Sequence, residues 1–200
     1  MRLAGRPTLQ TLVVFLAVFA VQFILRAVGA GSEWLFLLGP DAATRPWALA
    51  THVYAHAGPA HLLGNALVLL VVGALVSRRT SPLRFHAFFL LTGMVSGLAE
   101  VTLGSAIGPP TAVVGASGAI FALLGYLLAG NAISSALLDR VSLSPRAQAG
   151  LFLGVAVLVT LATASPRAAL FGHATGLVCG LLAGRTTLLE PATPAVRTVR

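Results

Sequence analysis

The sequence predicts an all-α, polytopic membrane protein with six transmembrane helices. Of its 200 residues, 57% are hydrophobic and 9% are charged, and the mean hydropathy is +0.92. An average soluble domain is about half apolar and a quarter charged, so this composition excludes that class. Runs such as LVLLVVGALV also lack the period-two alternation of membrane β-barrel strands. Helices remain, because they satisfy every backbone hydrogen bond within the segment.

Six apolar runs are long enough for helices that cross a hydrocarbon core of about 30 Å. The predicted spans are 9–28, 61–76, 85–103, 117–132, 147–164 and 170–188. We therefore expect one membrane domain over residues 1–189. A disordered cytoplasmic tail over residues 190–200 should follow it, because its Pro, Thr and Arg residues form no apolar face.

The positions of the arginines predict the orientation of the spans. All 13 basic residues are arginines, and the net charge is +8. With a cytoplasmic N-terminus, ten arginines lie inside and only Arg26, Arg45 and Arg167 lie outside, which fits the positive-inside rule. Because the arginines separate apolar runs, they indicate a membrane protein rather than a partner of nucleic acid. We expect an integral protein of the cell membrane with both termini in the cytoplasm.

Four polar side chains lie at the starts of the second, fourth and sixth spans, where lipid disfavours them. They are His61, Asn65, Ser117 and His173. Polar groups inside a membrane are costly and generally have a function. The predicted orientation puts the starts of these three spans at the outer face. The four side chains therefore share the outer third of the bilayer, and we predict that they form one site.

Ser117 and His173 are the residue types of a nucleophile and its general base. A serine hydroxyl is a weak nucleophile until a base removes its proton, and histidine can do so near neutral pH. Glycines follow the histidine after three, seven and eleven residues, at Gly176, Gly180 and Gly184. Small residues at four-residue spacing let membrane helices approach closely. If the neighbouring helix carries the serine, His173 reaches Ser117.

His61 and Asn65 are separated by four residues, so they share one helix face. Together with the backbone N–H of Ser117, they can donate hydrogen bonds to the oxyanion of an acyl-transfer intermediate. A purely structural interpretation is also open for these residues. Ser117 could cap the fourth helix, and His61 and Asn65 could cap the second or bind the preceding loop.

Other polar residues are more consistent with structural roles. The long outer loop, residues 29–60, is rich in aromatic residues and histidine and should pack against the bundle. We expect His52 and His56 to hold this loop through hydrogen bonds, and His86 to be a solvated residue near the inner interface. Glu100 could complete a Ser-His-acid triad, but an acid at a helix end can simply face the membrane interface, and we favour that interpretation.

These residues and motifs, in this order, resemble the rhomboid family of intramembrane serine proteases. The resemblance covers about 47–184 and includes Trp47 with a histidine-rich loop, HLLGN, GASGAIF and HATGLVCG. The chain departs from patterns common in that family at three positions. Ala48 stands where many members have Arg, Ser77 where many have Glu, and Leu170 where Asn is frequent.

The resemblance implies a six-helix rhomboid-like bundle with a catalytic cavity open to the outer side. It implies that Ser117 is the nucleophile and His173 the general base. His61 and Asn65 would line the oxyanion hole, as would the amide of Ser117. It also implies that Phe121, one turn after the serine, packs against the ring of His173.

The predicted function is that of a serine endopeptidase that cleaves transmembrane proteins near the outer membrane face. Its partners would be single-span substrates and the lipid bilayer, without a cofactor, a metal or nucleic acid. Two alternatives are a catalytically inactive rhomboid-like protein that binds transmembrane helices and a polytopic transporter. The first should lack the serine or the histidine. The second should carry deeper ionisable groups, whereas the third span has only Glu100 and the fifth has no charge.

Overall fold

A computed structural model describes residues 6–130 and 169–190, which form seven helices and no β-strand. The helices are α1 (Pro7–Ala27), α2 (Glu33–Phe36), α3 (Ala48–Thr51), α4 (Pro59–Ser77), α5 (Pro82–Ile107), α6 (Ser117–Gly130) and α7 (Leu170–Arg185). The predicted span 147–164 and nearly all of the predicted tail lie outside the described residues. Within those residues, the predicted all-helical architecture is confirmed.

Proline sets the start of the three long helices. Pro7, Pro59 and Pro82 each stand in the first turn, where the missing N–H leaves no hydrogen bond unmade and the fixed φ suits a helix. Ser81 also caps α5, since its hydroxyl accepts the N–H of Arg84 at 3.4 Å. These helices begin two or three residues before the predicted spans, because hydropathy does not register a proline start.

Three of the described helices, α1, α4 and α5, are long and apolar enough to cross a membrane. The shorter α6 and α7 begin at Ser117 and Leu170, where the sequence predicted their spans to begin. Several large apolar side chains are more than half exposed: Leu16, Phe23, Leu67, Val71 and Leu182. Such outward-facing apolar surfaces suit lipid rather than water. The chain is an integral membrane protein.

Helix α6 is central to the described bundle. It packs most extensively against α7, and also against α5 and α4, while α1 packs against α4 and α5. Four helices contribute fully buried side chains to one apolar core, namely Phe15, Leu69, Phe89 and Leu123. This core holds α6 against α1, α4 and α5.

The outer loop packs against the bundle, as predicted. The buried Leu38 exchanges two backbone hydrogen bonds with Val113, at 3.0 and 2.7 Å, just before α6. The buried Val53 lies against Gly93 of α5. A Cβ added to Gly93 would be 2.7 Å from a methyl group of Val53. The two short helices of the loop, α2 and α3, were not predicted, because four residues are too few for a helical pattern.

The two loop histidines differ in their hydrogen bonding. His52 donates from Nδ1 to the carbonyl of Ala48 at 2.8 Å, so the prediction is confirmed for this residue. His56 also holds the loop, but through its backbone. Its N–H donates to Oε1 of Gln22 at 3.0 Å and its carbonyl accepts from Nε2 of Gln22 at 3.2 Å, whereas neither ring nitrogen has a partner among the described residues. The fully buried ring instead packs edge-on against Phe15 and His61, at centroid distances of 4.8 and 5.3 Å.

The expectation that His86 is solvated is wrong. The ring is partly buried, and its Nε2 lies 2.8 Å from Oε1 of Gln10. This hydrogen bond links α5 to the first turns of α1. The sequence placed the two residues on separate helices with no signal for their proximity.

Candidate active site

The first residue of α6 and the fourth residue of α7 meet at the centre of the site. Ser117 Oγ lies 2.8 Å from Nε2 of His173. His173 is buried, and Ser117 is partly buried. A neutral imidazole can accept the hydroxyl hydrogen at this distance, which is the geometry that a general base requires.

Direct contact between the backbones of α6 and α7 brings these two residues together. Three glycines lie four residues apart on one face of α7 and form a glycine stripe. All three are buried: Gly176, Gly180 and Gly184. A Cβ added to Gly176 would lie 2.1 Å from the carbonyl oxygen of Gly118, and one added to Gly180 would lie 2.0 Å from that of Ala122. The contact is reciprocal, because a Cβ on Gly125 of α6 would lie 2.4 Å from a carbonyl oxygen of α7. At Gly176, Gly180 and Gly125, no residue other than glycine fits without moving a helix.

The ring of His173 stacks on Phe121. Their centroids are 4.4 Å apart, and the ring planes differ by 17°. The second ring nitrogen, Nδ1, is buried and has no hydrogen-bond partner among the described residues. The ring is therefore held in its plane by stacking and at one nitrogen by Ser117.

The prediction that Glu100 faces the membrane interface is wrong. It is buried in α5, and its Oε2 accepts the backbone N–H of Gly172 at 2.8 Å. It makes no hydrogen bond to Nδ1 of His173, which has no partner in the described part of the chain. The acid thus binds the backbone beside the histidine rather than the histidine ring.

His61 and Asn65 lie one turn apart on α4, which packs against α6. The ring of His61 covers Gly115, where an added Cβ would be 2.7 Å from Cε1. Gly115 has a φ of +135°, a conformation that favours glycine. Asn65 is buried and donates from Nδ2 to the carbonyl of His61 at 3.0 Å. The Nδ2 group has a second N–H that can donate to a substrate carbonyl.

A pocket opens beside the serine and the histidine, between α5, α7 and the segment that precedes α6. Its lining includes Ser96, Gly97, Glu100, Ser117, Gly118 and His173. Sequence reasoning missed Ser96, whose buried hydroxyl has no partner among the described residues. It also missed Gly118 and Gly125 of α6. These two glycines are seven residues, or about two helical turns, apart and therefore lie on the same face of the helix.

The loop histidines next to the site are predominantly neutral at pH 7. Burial lowers the pKa of His52 from its ordinary value. Burial, followed by the proximity of His61, lowers the pKa of His56 to about 4. Among the described residues, no group of three or more His, Cys, Asp or Glu side chains could hold a metal ion.

The fold and the site define a class: an all-helical integral membrane protein in which a serine and a histidine meet between two closely packed helices. The family model for the rhomboid domain matches residues 43–190. The chain therefore belongs to the rhomboid family.

Comparison with characterised proteins agrees with this assignment. Rhomboid protease GluP of Bacillus subtilis is 35% identical over 132 residues, which cover 62% of this chain and 25% of GluP. RHOMBOID-like protein 1 of Arabidopsis thaliana is 31% identical over 146 residues, covering 72% of this chain and 35% of that protein. Rhomboid protease GlpG of Haemophilus influenzae is 22% identical over 182 residues, covering 86% and 87%.

The relatives differ in how much of their length the chain matches. It spans 25% of GluP and between 35% and 52% of three Arabidopsis relatives. Two of the relatives described above are named proteases, which supports protease activity at the level of the family.

Proposed function

We propose that this chain is an intramembrane serine endopeptidase that uses Ser117 as nucleophile and His173 as general base. The observation that carries the proposal is the 2.8 Å separation of Ser117 Oγ and His173 Nε2. Family membership supports the same activity. No cofactor is required, because the serine supplies the nucleophile and the histidine carries the proton.

The proposed reaction has two stages. Ser117 Oγ attacks the scissile carbonyl carbon while Nε2 of His173 takes the hydroxyl proton, and the protonated ring then gives that proton to the leaving amine. A water molecule next attacks the acyl-enzyme and gives a proton to His173. Collapse of the second intermediate releases the carboxylic acid and returns the proton to Ser117 Oγ.

The tetrahedral intermediates carry a negative oxygen that needs hydrogen-bond donors. We assign this role to the backbone N–H of Ser117 and to the side chains of Asn65 and His61. The proximity of α4 to α6 supports this assignment. A single oxyanion donor typically contributes about 2.7–4 kcal/mol to transition-state stabilisation.

The proposed substrates are single-span transmembrane proteins, cleaved near the outer face of the cell membrane. The candidate site lies at the N-terminal ends of α6 and α7, and the arginine distribution predicts that these ends face outward. The proposal includes the six-helix rhomboid-like bundle, with both termini in the cytoplasm.

The test is cleavage of a transmembrane substrate by the purified protein in lipid, together with labelling by a serine-directed fluorophosphonate. Ser117→Ala and His173→Ala should each lower cleavage on the order of 10⁴-fold or more. Ser117→Ala should not label, and His173→Ala should label far more slowly. Ser77→Ala is the matched control and should behave as wild type, because Ser77 lies at the C-terminal end of α4, far along the helix from His61 and Asn65.

Other results would refute the proposal. Cleavage by Ser117→Ala above a few per cent of the wild-type rate would exclude Ser117 as the nucleophile. A folded wild-type protein that binds transmembrane helices but neither cleaves nor labels would instead be an inactive member of the family.

A further inference from the structure

The N-terminus of α7 lacks a cap from its own segment. The first four backbone N–H groups of a helix have no partner within the helix. The residue at the capping position, Ala169, provides no side-chain acceptor. Glu100 of α5 provides one instead, since its Oε2 accepts the N–H of Gly172 at 2.8 Å. This amide immediately precedes His173.

The contact is closely fitted on both helices. Glu100 is 7% exposed, and a buried carboxylate is costly unless donors compensate it. A helix N-terminus supplies both a donor and a favourable dipole. A Cβ on Gly172 would lie 3.1 Å from the carbonyl oxygen of Ser96 and 3.5 Å from Cβ of Glu100. The absence of a side chain at Gly172 allows this approach.

We propose that Glu100 is a positioning residue that sets the first turn of α7 and thereby the placement of His173 against Ser117. This inference rests on the proposed function. Glycine contacts bring two helices close together, but they are not directional. A hydrogen bond from a side chain of α5 to one amide of α7 is directional, and it lies one residue from the base.

The backbone contact matters more because no side chain orients the ring of His173 through Nδ1 in the described part of the chain. In a Ser-His-acid triad, the acid orients the histidine through Nδ1. Here Nδ1 has no partner among the described residues, and stacking on Phe121 constrains the plane of the ring. The position of the backbone then determines where Nε2 lies. The carboxylate of Glu100 acts on the base through the main chain.

The first test removes the acceptor. Glu100→Ala should lower kcat about 10²-fold, as expected when a base moves by about 1 Å, and should leave KM unchanged. Glu100→Gln keeps an oxygen acceptor and should lose only about fivefold. Thr102→Ala, at an exposed position two residues along α5, is the matched control.

The second test restores an acceptor from another position. A Cβ on Gly172 would lie 3.6 Å from Cβ of Ala169, and a serine at a helix N-cap accepts the N–H two or three residues later. Adding Ala169→Ser to Glu100→Ala should therefore recover about tenfold in kcat. A purely space-filling role of Glu100 would give no recovery.

A third measurement does not depend on activity. Amide hydrogen exchange at Gly172 should accelerate about tenfold in Glu100→Ala and return toward wild type in the double variant. If the wild-type protein proves inactive, the proposed function fails, and this exchange pattern still decides whether Glu100 holds α7.

Several outcomes would overturn the inference. They are wild-type kcat in Glu100→Ala, a loss that appears in KM alone, or unchanged exchange at Gly172. If Glu100→Ala does not fold, Glu100→Gln and the double variant carry the test. The inference then requires both variants to fold, with kcat about fivefold below wild type for Glu100→Gln and about tenfold below wild type for the double variant, and failure of either overturns it.

Discussion

The two sides of the candidate site are built differently. On one side, α6 and α7 meet backbone to backbone through Gly176 and Gly180 and carry the proposed nucleophile and base. On the other side, α4 carries His61 and Asn65 but turns most of its apolar side chains outward. The exposed fraction is 59% for Leu63 and 64% for Val71.

This difference matches the demands of the proposed chemistry. Proton transfer between Ser117 and His173 depends steeply on distance, and a glycine interface leaves little freedom of separation. The donors on α4 need only come within hydrogen-bonding distance of an oxyanion, and three groups share that role. Tight packing should therefore matter most between α6 and α7, and less for α4.

Gly180→Leu should have the largest effect among the variants that test this comparison. A Cβ here would lie 2.0 Å from a carbonyl oxygen, whereas ordinary contacts begin near 3.4 Å. The helices must separate by more than 1 Å, so we expect cleavage to fall by more than about 10³-fold. The melting temperature should also fall, because lipid does not compensate for a spoiled interface.

Two further variants calibrate this result. Gly180→Ala requires a smaller shift and should lose about 10²-fold. Val178→Leu enlarges a side chain that is 48% exposed on the same helix and should retain wild-type cleavage and stability. Equal activity of Gly180→Leu and Val178→Leu would show that the close approach does not position the base.

Asn65→Ala tests the α4 side and should have a smaller effect. The remaining donors still bind the oxyanion, so we expect a loss of about 10²–10³-fold in kcat. The melting temperature should stay near that of the wild type, because within the described part of the chain Asn65 donates to a carbonyl of its own helix. Leu63→Ala, which alters an exposed side chain of α4, is the control.

A rate for Asn65→Ala within twofold of the wild type would remove this residue from the oxyanion hole. A large loss of thermal stability would instead make its hydrogen bond to His61 structural. Steady-state cleavage and thermal unfolding in the same detergent distinguish the two results.

The smallest expected effect is the pH dependence that His56 gives to the outer loop. Its pKa is about 4 in the folded protein, and its ordinary value is 6.5. Between these values the unfolded chain binds more protons, so stability should fall as the pH decreases from 6.5 toward 4. The loss is at most about 3 kcal/mol.

His56→Phe should remove this part of the pH dependence while keeping an aromatic ring beside Phe15. Thermal unfolding of the two proteins between pH 7 and pH 4.5 gives the comparison. If the melting temperatures of the wild type and His56→Phe change equally with pH across this range, His56 is solvated and titrates normally.

Much of the fold could be predicted from the sequence because lipid imposes strict rules. Composition and apolar run length indicated helices, and α6 and α7 begin where the runs predicted. Helix ends and short loop helices were less predictable, since they depend on proline starts and local hydrogen bonds. The environment of His86 was predicted wrongly, and the bonding of His56 through its backbone was not foreseen, because their partners Gln10 and Gln22 come from distant segments.

The sequence by itself determined the chemical types available and the faces on which they lie. The spacing of HLLGN, GASG and HATGLVCG supplied a hydroxyl, an imidazole and amide donors at the starts of alternate spans. These properties follow from helical periodicity and from the cost of polar groups in lipid, both of which are local in the chain.

Only the tertiary structure decided how far apart these groups lie and what holds them. The 2.8 Å contact of Ser117 and His173 joins residues 56 positions apart. The contact of Glu100 with Gly172 joins residues 72 positions apart. Periodicity assigns a residue to a face but not to a partner. The partner depends on which helices pack so closely that only glycine fits between them. It also depends on which donors lie within hydrogen-bonding distance of each buried polar group.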